Sequence, residues 1–217
     1  MVWAMPTVEE LTVADAPEAW AALGFSVAGD ACVVGDVRIR LAGPAAGKGL
    51  VGWSLCGVGT ANLDGLATTS SDGEPPRGGP AHPNGVTGLD HIVAITPALD
   101  RTVAALQGAG LDLRRVREEA TPAGAPRQAF FRLGANILEV VQEPAEATER
   151  AGGDRPAFFW GLAFVAADLD ASVAALGDRV SEVRPAVQPG RRIASLRRSA
   201  GLTVPVALMT PAADARH

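Results

Sequence analysis

The pattern of hydrophobic and polar positions occurs twice in the second half of the chain. The segment LDRTVAAL at 99–106 returns as LDASVAAL at 169–176, with six of its eight positions identical. In both copies the leucine and valine residues have helical spacing, and a short apolar run precedes them. A repeat of this kind is typical of one supersecondary module that has been duplicated and packs against its copy.

Each copy of this segment lies inside a predicted β-α-β-β-β unit. Glycine and proline mark the ends of the elements, and the segments between them alternate in polarity as strands do. The middle unit is predicted to have a strand at 89–96, a helix at 99–109 and strands at 111–118, 127–133 and 136–143. The last unit is predicted to have a strand at 158–166, a helix at 169–176 and strands at 180–187, 191–198 and 202–209.

The N-terminal part is predicted to be a third, degenerate copy at 8–58. Its elements are a strand at 10–14, a helix at 17–24 and strands at 25–31, 32–41 and 50–57. A segment rich in proline and glycine follows at 59–87 and is predicted to be a linker. The paired units then occupy 88–210, as 88–144 and 157–210, with an exposed polar linker between them.

Composition narrows the class of protein. The 217 residues are 47% hydrophobic and 20% charged, as in ordinary globular proteins, and the net charge is −5. An acidic chain disfavours nucleic acid as a partner, and the absence of a long apolar run disfavours a membrane span. A cytoplasmic location is expected, with Cys32 and Cys56 as free thiols; a disulfide or a metal pair is the alternative.

Two strings carry a resemblance to a known family. GLDHIV at 88–93 opens the middle unit, and ANILEVV at 135–141 closes it. With the tandem order of elements, these strings make the chain similar to the vicinal oxygen chelate superfamily, which includes glyoxalase I, extradiol dioxygenases and bleomycin-resistance proteins. The resemblance implies an α+β fold in which tandem βαβββ modules form a curled mixed-sheet cup, here with an additional degenerate N-terminal half-module.

The resemblance also implies a metal site in the cup, with ligands on the first and last strands of each module. His91 and Glu139 stand at those positions in the middle unit, and this pair suits one divalent ion such as Fe, Mn, Ni or Zn. The matching positions of the last unit are Gly161 and Val206, neither of which is a ligand. The metal quartet is therefore incomplete, and a protein without a cofactor is the equal alternative.

Three interpretations of His91 and Glu139 stay open. The two residues form a metal-binding pair, a metal-free pair that binds a ligand or transfers a proton, or a polar contact without function. A histidine beside a carboxylate titrates near neutral pH, which suits the first two roles. Glu139 is the candidate catalytic residue.

Five further residues are candidates for lining the pocket: His82, Phe130, Trp160, Arg127 and Arg191. The histidine either reaches over the cup as a lid or third ligand, or is solvated beside the turn formed by HPNG. The arginines either point into the cup and bind an anion, or lie at solvated sheet edges. The aromatic residues either wall a pocket or pack in the core or at an interface.

The sequence leaves three classes of function. A small-molecule-binding protein is favoured by the incomplete quartet, because an apolar cup with a few polar groups suits such a ligand. A divalent-metal lyase, isomerase or dioxygenase resembling glyoxalase I is the alternative, and a structural or regulatory relic without a ligand is the third class. A homodimer is also expected, because an unpaired half-module would leave one sheet face open; covering an edge of the cup is the other expectation for it.

Overall fold

The computed structural model describes residues 5–121 and 124–212. In chain order its strands are β1 (Thr7–Val13), β2 (Val27–Ala28), β3 (Ala31–Val34), β4 (Val37–Leu41), β5 (Leu50–Cys56), β6 (Asn62–Leu63), β7 (Leu66–Ser71), β8 (Val86–Thr96), β9 (Asp112–Arg117), β10 (Gln128–Leu133), β11 (Asn136–Gln142), β12 (Phe158–Ala166), β13 (Arg184–Pro185), β14 (Arg192–Ser195) and β15 (Val206–Met209). Its α-helices are α1 (Pro17–Ala22), α2 (Leu99–Gly108), α3 (Ala145–Arg150) and α4 (Leu169–Leu176). None of the helices in these ranges is both long and apolar enough to cross a membrane.

Eight strands form the larger sheet, in the order β13-β14-β15-β12-β8-β11-β10-β9. Each half is one of the predicted β-α-β-β-β units, and the first strand of each half pairs in parallel with its last strand. The halves join where β8 and β12 pair antiparallel, with Ile92 opposite Leu162. The α+β fold class with tandem modules is confirmed.

The smaller sheet has seven strands, in the order β2-β3-β4-β1-β5-β7-β6. Its strand directions repeat those of the larger sheet, since β1 is parallel to β4, antiparallel to β5, and β5 is parallel to β7. The predicted half-module is therefore paired within the chain, and β6 and β7 lie in the 59–87 segment that the sequence predicts to be a linker. Strand β5, which the sequence predicts to be the last strand of the half-module, instead pairs antiparallel with β1 as β12 does with β8. The homodimer stays a prediction.

One face of the larger sheet packs against helices and against the N-terminal part of the chain. Helix α2 packs on β9, β10 and β11, and α4 packs on β14. The smaller sheet contributes aromatic contacts to the same face: Trp20 and Phe25 contact Phe164 at ring-centroid distances of 6.1 and 5.6 Å, and Trp53 contacts Phe159 at 5.0 Å. These contacts make a continuous hydrophobic core between the two sheets.

The opposite face of the larger sheet is only half-buried. It carries every second residue of the two central strands of the middle module: His91, Val93 and Ile95 on β8, and Ile137, Glu139 and Val141 on β11. We call this face the cup. The intervening residues Ile92, Ala94, Leu138 and Val140 are buried on the core side.

Further segments differ from the sequence-based expectation, and the strands predicted at 25–31, 191–198 and 202–209 are shorter, as β2, β14 and β15. The predicted strand at 32–41 is two strands, β3 and β4, because Gly35 at φ +63° forms a tight turn between Val34 and Val37. The predicted strand at 180–187 is reduced to the two residues of β13 and a single bridge between Val180 and Leu196. The predicted linker at 144–156 contains α3.

The two cysteines are both free thiols. Cys32 is buried in the smaller sheet, and burial raises its pKa to about 12. Cys56 is partly exposed at the end of β5, where its thiol donates to the Gly73 carbonyl at 3.1 Å. The structure thus contains no disulfide or metal pair made by these two residues.

Substitution of Phe164 tests whether the packing between the two sheets stabilises the fold. The side chain is fully buried between Trp20 and Phe25, so Phe164→Ala is expected to lower the free energy of unfolding by about 3–5 kcal/mol. Urea denaturation measures this loss. Trp160→Ala on the same strand is the control, because Trp160 is 48% exposed and its loss is expected to cost less than about 1 kcal/mol. Equal costs for the two variants would contradict this packing.

Candidate functional site

His91 and Glu139 come together on the cup, as neighbours on adjacent parallel strands. Glu139 on β11 pairs with Val93, two residues beyond His91 on β8, so the two side chains face each other diagonally. The Nε2 atom of His91 lies 3.5 Å from Oε2 of Glu139, and the side chains are 15% and 17% exposed. The pair is therefore sheltered but reachable from solvent.

Asp90 orients the imidazole. Along the β8–β12 ladder His91 pairs with Ala163 and Leu89 pairs with Phe164, which leaves Asp90 as an extra residue in a β-bulge. The bulge lets adjacent side chains approach, and Nδ1 of His91 lies 2.7 Å from Oδ2 of Asp90. Burial by itself would raise the pKa of Asp90, but hydrogen bonds from His91 and Arg191 outweigh it and lower the pKa.

Arg191 holds Asp90 from the other module. Its side chain is 7% exposed and donates from Nη2 to Oδ1 of Asp90 at 2.6 Å. Three further hydrogen bonds go to the Thr210 carbonyl and to Oε1 of Gln188, so four of the five N–H donors of the guanidinium are engaged. Arg191, predicted to line the pocket, is instead a buried residue that links the two modules.

Glu139 has a second neighbour on the cup. Gln128 on β10 is buried and donates from Nε2 to Oε1 of Glu139. Burial is the main influence on this carboxyl and raises its pKa, although His91 and Gln128 act in the opposite direction. Phe130 lies directly across the β10–β11 ladder from Glu139, so its ring borders the same site.

The hydrogen bonds determine the tautomer of His91. Asp90 is bound by a guanidinium and accepts hydrogen bonds as a carboxylate, so the neutral imidazole carries its proton on Nδ1. Its Nε2 atom then presents a lone pair toward Glu139. Such an arrangement accepts a hydrogen bond or a proton from a bound molecule.

The other module supplies small residues to the cup. Gly161 and Ala163 on β12 pair with Val93 and His91, and Ala207 on β15 pairs with Ala163. The structural counterpart of Glu139 is therefore Ala207, and the sequence-based assignment of Val206 was wrong by one residue. Val206 pairs with Leu162 and is buried on the core side.

The comparison with solved structures decides the fold. A xylose isomerase-like TIM barrel/4-hydroxyphenylpyruvate dioxygenase fusion protein is similar over 99% of this chain and 50% of its own, with a TM-score of 0.62 and 15% identity. The chain has the vicinal oxygen chelate fold. It spans half the length of that fusion protein, and the likeness concerns the fold alone.

Other comparisons are more limited. Methylmalonyl-CoA epimerases from Mycobacterium tuberculosis and Streptomyces coelicolor cover 59% of this chain, at 22% and 26% identity and TM-scores of 0.47 and 0.48. The alignments span 91% and 99% of those two proteins. No protein-family model and no curated protein matches the chain.

The vicinal oxygen chelate fold implies a divalent metal, but the residues of this cup do not fit a four-ligand site. Within 5–121 and 124–212, no three His, Cys, Asp or Glu side chains are grouped so as to hold a metal ion. The second module offers Gly161 and Ala207, which have no donor side chains. A Cβ atom at Gly161 would lie 2.8 Å from the Pro205 carbonyl oxygen, so a ligating side chain there requires backbone movement.

His82 lies away from the cup, in the segment before β8, where it contacts the smaller sheet. Its Nδ1 accepts from the Ser26 amide at 3.0 Å, and its Nε2 faces the Val33 carbonyl at 3.1 Å. The side chain is buried against Phe25, and burial lowers its pKa. It connects the segment before β8 to the smaller sheet, and it is neither the lid nor the solvated residue that the sequence suggested.

Arg127 and Trp160 also differ from the expected pocket lining. Arg127 forms ion pairs with Glu118 and with Asp100 at the start of α2, on the helix side of the sheet. Trp160 is an extra residue in β12, between the positions paired with Ala94 and Val93, and is 48% exposed. Only Phe130 among the five predicted lining residues borders the His91–Glu139 pair.

Sequence reasoning missed two residues of the site. Asp90 stands beside His91 in the string GLDHIV at 88–93, which carries the family resemblance. Strict alternation along a strand would place Asp90 on the face opposite His91. Gln128 is two residues before Phe130 on β10, so strand alternation puts the two side chains on the same face. That pattern is enough to predict Gln128 as a residue of the site. Only the bulge at Asp90 has no sequence signal.

Two grooves lie elsewhere on the surface. One of about 660 Å³ runs between Met5 at the start of β1 and the end of α2, and one of about 440 Å³ lies beside Ser195 and Arg197. Neither contains His91 or Glu139. We place the candidate site at the cup because the connected polar side chains are there, whereas the larger groove is lined mostly by glycine, alanine and proline backbone.

Arg191→Met tests the clamp. Removal of the guanidinium leaves the Asp90 carboxylate sheltered without its cation, and the free energy of unfolding at pH 7 is expected to fall by about 3 kcal/mol. Arg192→Met is the matched control, because the neighbouring Arg192–Asp170 pair is exposed and its loss is expected to cost less than about 1 kcal/mol. Urea denaturation of both variants measures the difference, and equal losses would refute the assignment.

Glu139→Gln tests the buried carboxyl. Because the folded protein raises the pKa of Glu139 above its ordinary value of 4.5, ionisation costs stability as the pH rises through that value. The variant is expected to be more stable than the parent at pH 7–8, by on the order of 1 kcal/mol, with no difference below about pH 4.

Glu143→Gln is the control of opposite sign. A hydrogen bond from Arg155 lowers the pKa of Glu143, so the parent gains stability on ionisation and the variant is expected to lose it at neutral pH. Unfolding free energies measured from pH 4 to pH 8 decide both predictions. A Glu139→Gln variant that is less stable than the parent at pH 8 would show that this carboxylate is well stabilised in the fold.

Proposed function

We propose that the protein binds a small molecule in the cup, with His91 and Glu139 as its polar contacts. The observation that carries this proposal is a continuous series of polar contacts on the cup, Arg191–Asp90–His91–Glu139–Gln128. The two middle side chains, His91 and Glu139, are 15% and 17% exposed. Buried polar networks are expensive unless every member is satisfied. A network that leaves acceptors facing an open surface is typical of a binding site.

The surroundings of the pair support an apolar ligand body. Val93, Ile95, Ile137 and Val141 flank the pair, and the small residues Gly161, Ala163 and Ala207 form the other half of the surface. Small-molecule sites combine such apolar lining with a few polar groups that orient the ligand. The ligand is thus expected to have one polar end and an apolar remainder.

A metal-dependent lyase, isomerase or dioxygenase is the second candidate. The observation in its favour is the orientation of His91, since metal-ligating histidines commonly donate their other nitrogen to a carboxylate. Its substrate would have two neighbouring oxygen atoms able to chelate, in line with the resemblance to glyoxalase I. The donor set disfavours this candidate, because the second module adds no ligand.

Elemental analysis separates the two candidates. Protein purified without chelators is expected to contain no stoichiometric metal, and to take up less than one equivalent after addition of Fe(II), Mn, Ni or Zn. His91→Ala and Glu139→Ala variants are measured in parallel. One equivalent of metal in the parent that disappears in both variants would establish the metalloenzyme instead.

Ligand screening tests the binding function itself. Compounds that raise the Tm of the parent are expected to lose their effect in His91→Ala and Glu139→Ala, because both polar contacts are needed. Glu118→Gln is the control, since Glu118 is an exposed carboxylate outside the cup. Hits that stabilise all four proteins equally would place binding elsewhere and contradict the proposal.

A further inference from the structure

The His91–Glu139 pair presents two acceptors with no donor between them. Nε2 of His91 and Oε2 of Glu139 are 3.5 Å apart, and throughout 5–121 and 124–212 no hydrogen bond reaches either atom. Two lone pairs at this distance repel each other. A ligand group that donates one hydrogen bond to Nε2 of His91 and another to Oε2 of Glu139 would remove this repulsion.

Glu139 is also a carboxylate without a strong cation. Arg191 is engaged by Asp90 at 2.6 Å, and Arg117 acts on Glu139 only through its charge, which lowers the pKa of Glu139 less than burial raises it. Among the described residues, no arginine or lysine forms an ion pair with Glu139, and the nearest titratable side chain is the imidazole of His91. Negative charge that is poorly compensated in a sheltered position favours a cationic ligand.

We propose that the ligand of the cup carries a protonated primary amine, which donates to Nε2 of His91 and to Oε2 of Glu139. This inference rests on the proposed binding function and names the class of molecule that it takes. An ammonium group has three donors and one positive charge, so it satisfies both acceptors and the carboxylate together. A hydroxyl has one donor, and a carboxylate would be repelled by Glu139.

Phe130 supports the same class of ligand. It stands directly opposite Glu139 on β10, where cross-strand neighbours have Cβ atoms about 5 Å apart. A cation beside Glu139 is therefore within reach of an aromatic ring, which attracts cations over its face. The apolar and small residues of the cup then accommodate the body of a hydrophobic amine.

Three probes that share a phenylethyl body test this inference: 2-phenylethylamine, 2-phenylethanol and 3-phenylpropionate. Binding is measured by NMR from the shift of the His91 Cε1–Hε1 resonance, at pH 8 with EDTA present, where the amine is charged. The amine is expected to bind at least about tenfold more tightly than the alcohol, because its contacts are charge-assisted. The anion is expected not to bind.

Variants assign the effect to the named residues. Glu139→Gln is expected to reduce amine binding to the level of the alcohol, and Phe130→Leu to weaken it about threefold by removing the cation–π contact. Glu118→Gln is the control and is expected to bind like the parent. Folding of each variant is checked by its unfolding transition.

The outcomes separate this inference from the proposed function. If the alcohol or the anion binds as well as the amine, or if Glu139→Gln leaves amine binding unchanged, the amine is refuted while a binding function stands. If none of the three probes binds, the amine is refuted and the ligand screen decides the function independently. If Zn²⁺ alone binds in one equivalent without EDTA and the amine does not bind, the acceptor pair is a metal site.

Discussion

The antiparallel pairing of β8 with β12 joins the two modules, and the geometry of the cup depends on its register. Ile92 and Leu162 meet at the centre of this ladder, and equivalent positions of the modules lie symmetrically about them. The ladder contains register shifts at Asp90 and at Trp160. The first brings a carboxylate onto the side of His91, and the second changes which residues of β12 alternate toward the cup. Bulges of this kind commonly re-aim side chains next to functional sites.

The two carboxyl groups of the cup, Asp90 and Glu139, differ in how well neighbouring groups compensate their charge. Asp90 is bound by Arg191 and His91, and these contacts outweigh its burial. Glu139 receives one hydrogen bond from Gln128, and its burial is not offset. The firmly held end positions the imidazole, and the poorly compensated end is the place where a ligand gains most. Strain and uncompensated charge are commonly tolerated at functional sites because the remaining structure is stable enough to hold them.

The two sheets have the same strand order but different exposed faces. In the smaller sheet the face that corresponds to the cup is polar: Arg40 binds Glu10, and Ser54 binds Glu9. Residues after β7 run across this face, with Gly73 close to Glu9 and Gly79 against the backbone of Val33. The approach at Gly79 requires glycine, because a Cβ atom there would collide with the Val33 carbonyl. The chain after β7 therefore crosses part of the polar face of the smaller sheet, whereas the corresponding face of the larger sheet is mainly apolar.

The amino-acid sequence by itself determined the module order of the larger sheet. Helices α2 and α4 begin at the repeated leucines, and strand β12 has the predicted bounds, because periodicity and glycine or proline boundaries are local signals. A shared site for His91 and Glu139 was implied only by the family resemblance, and the parallel pairing of β8 with β11 in the structure brings the two side chains together. Only the tertiary structure decided the partner of the N-terminal half-module, since β6 and β7 are short and lie among prolines and glycines. The bulge at Asp90 and the burial of Arg191 were also visible only in the tertiary structure. Both depend on contacts between the modules, and Asp90 and Arg191 are 101 positions apart in the chain.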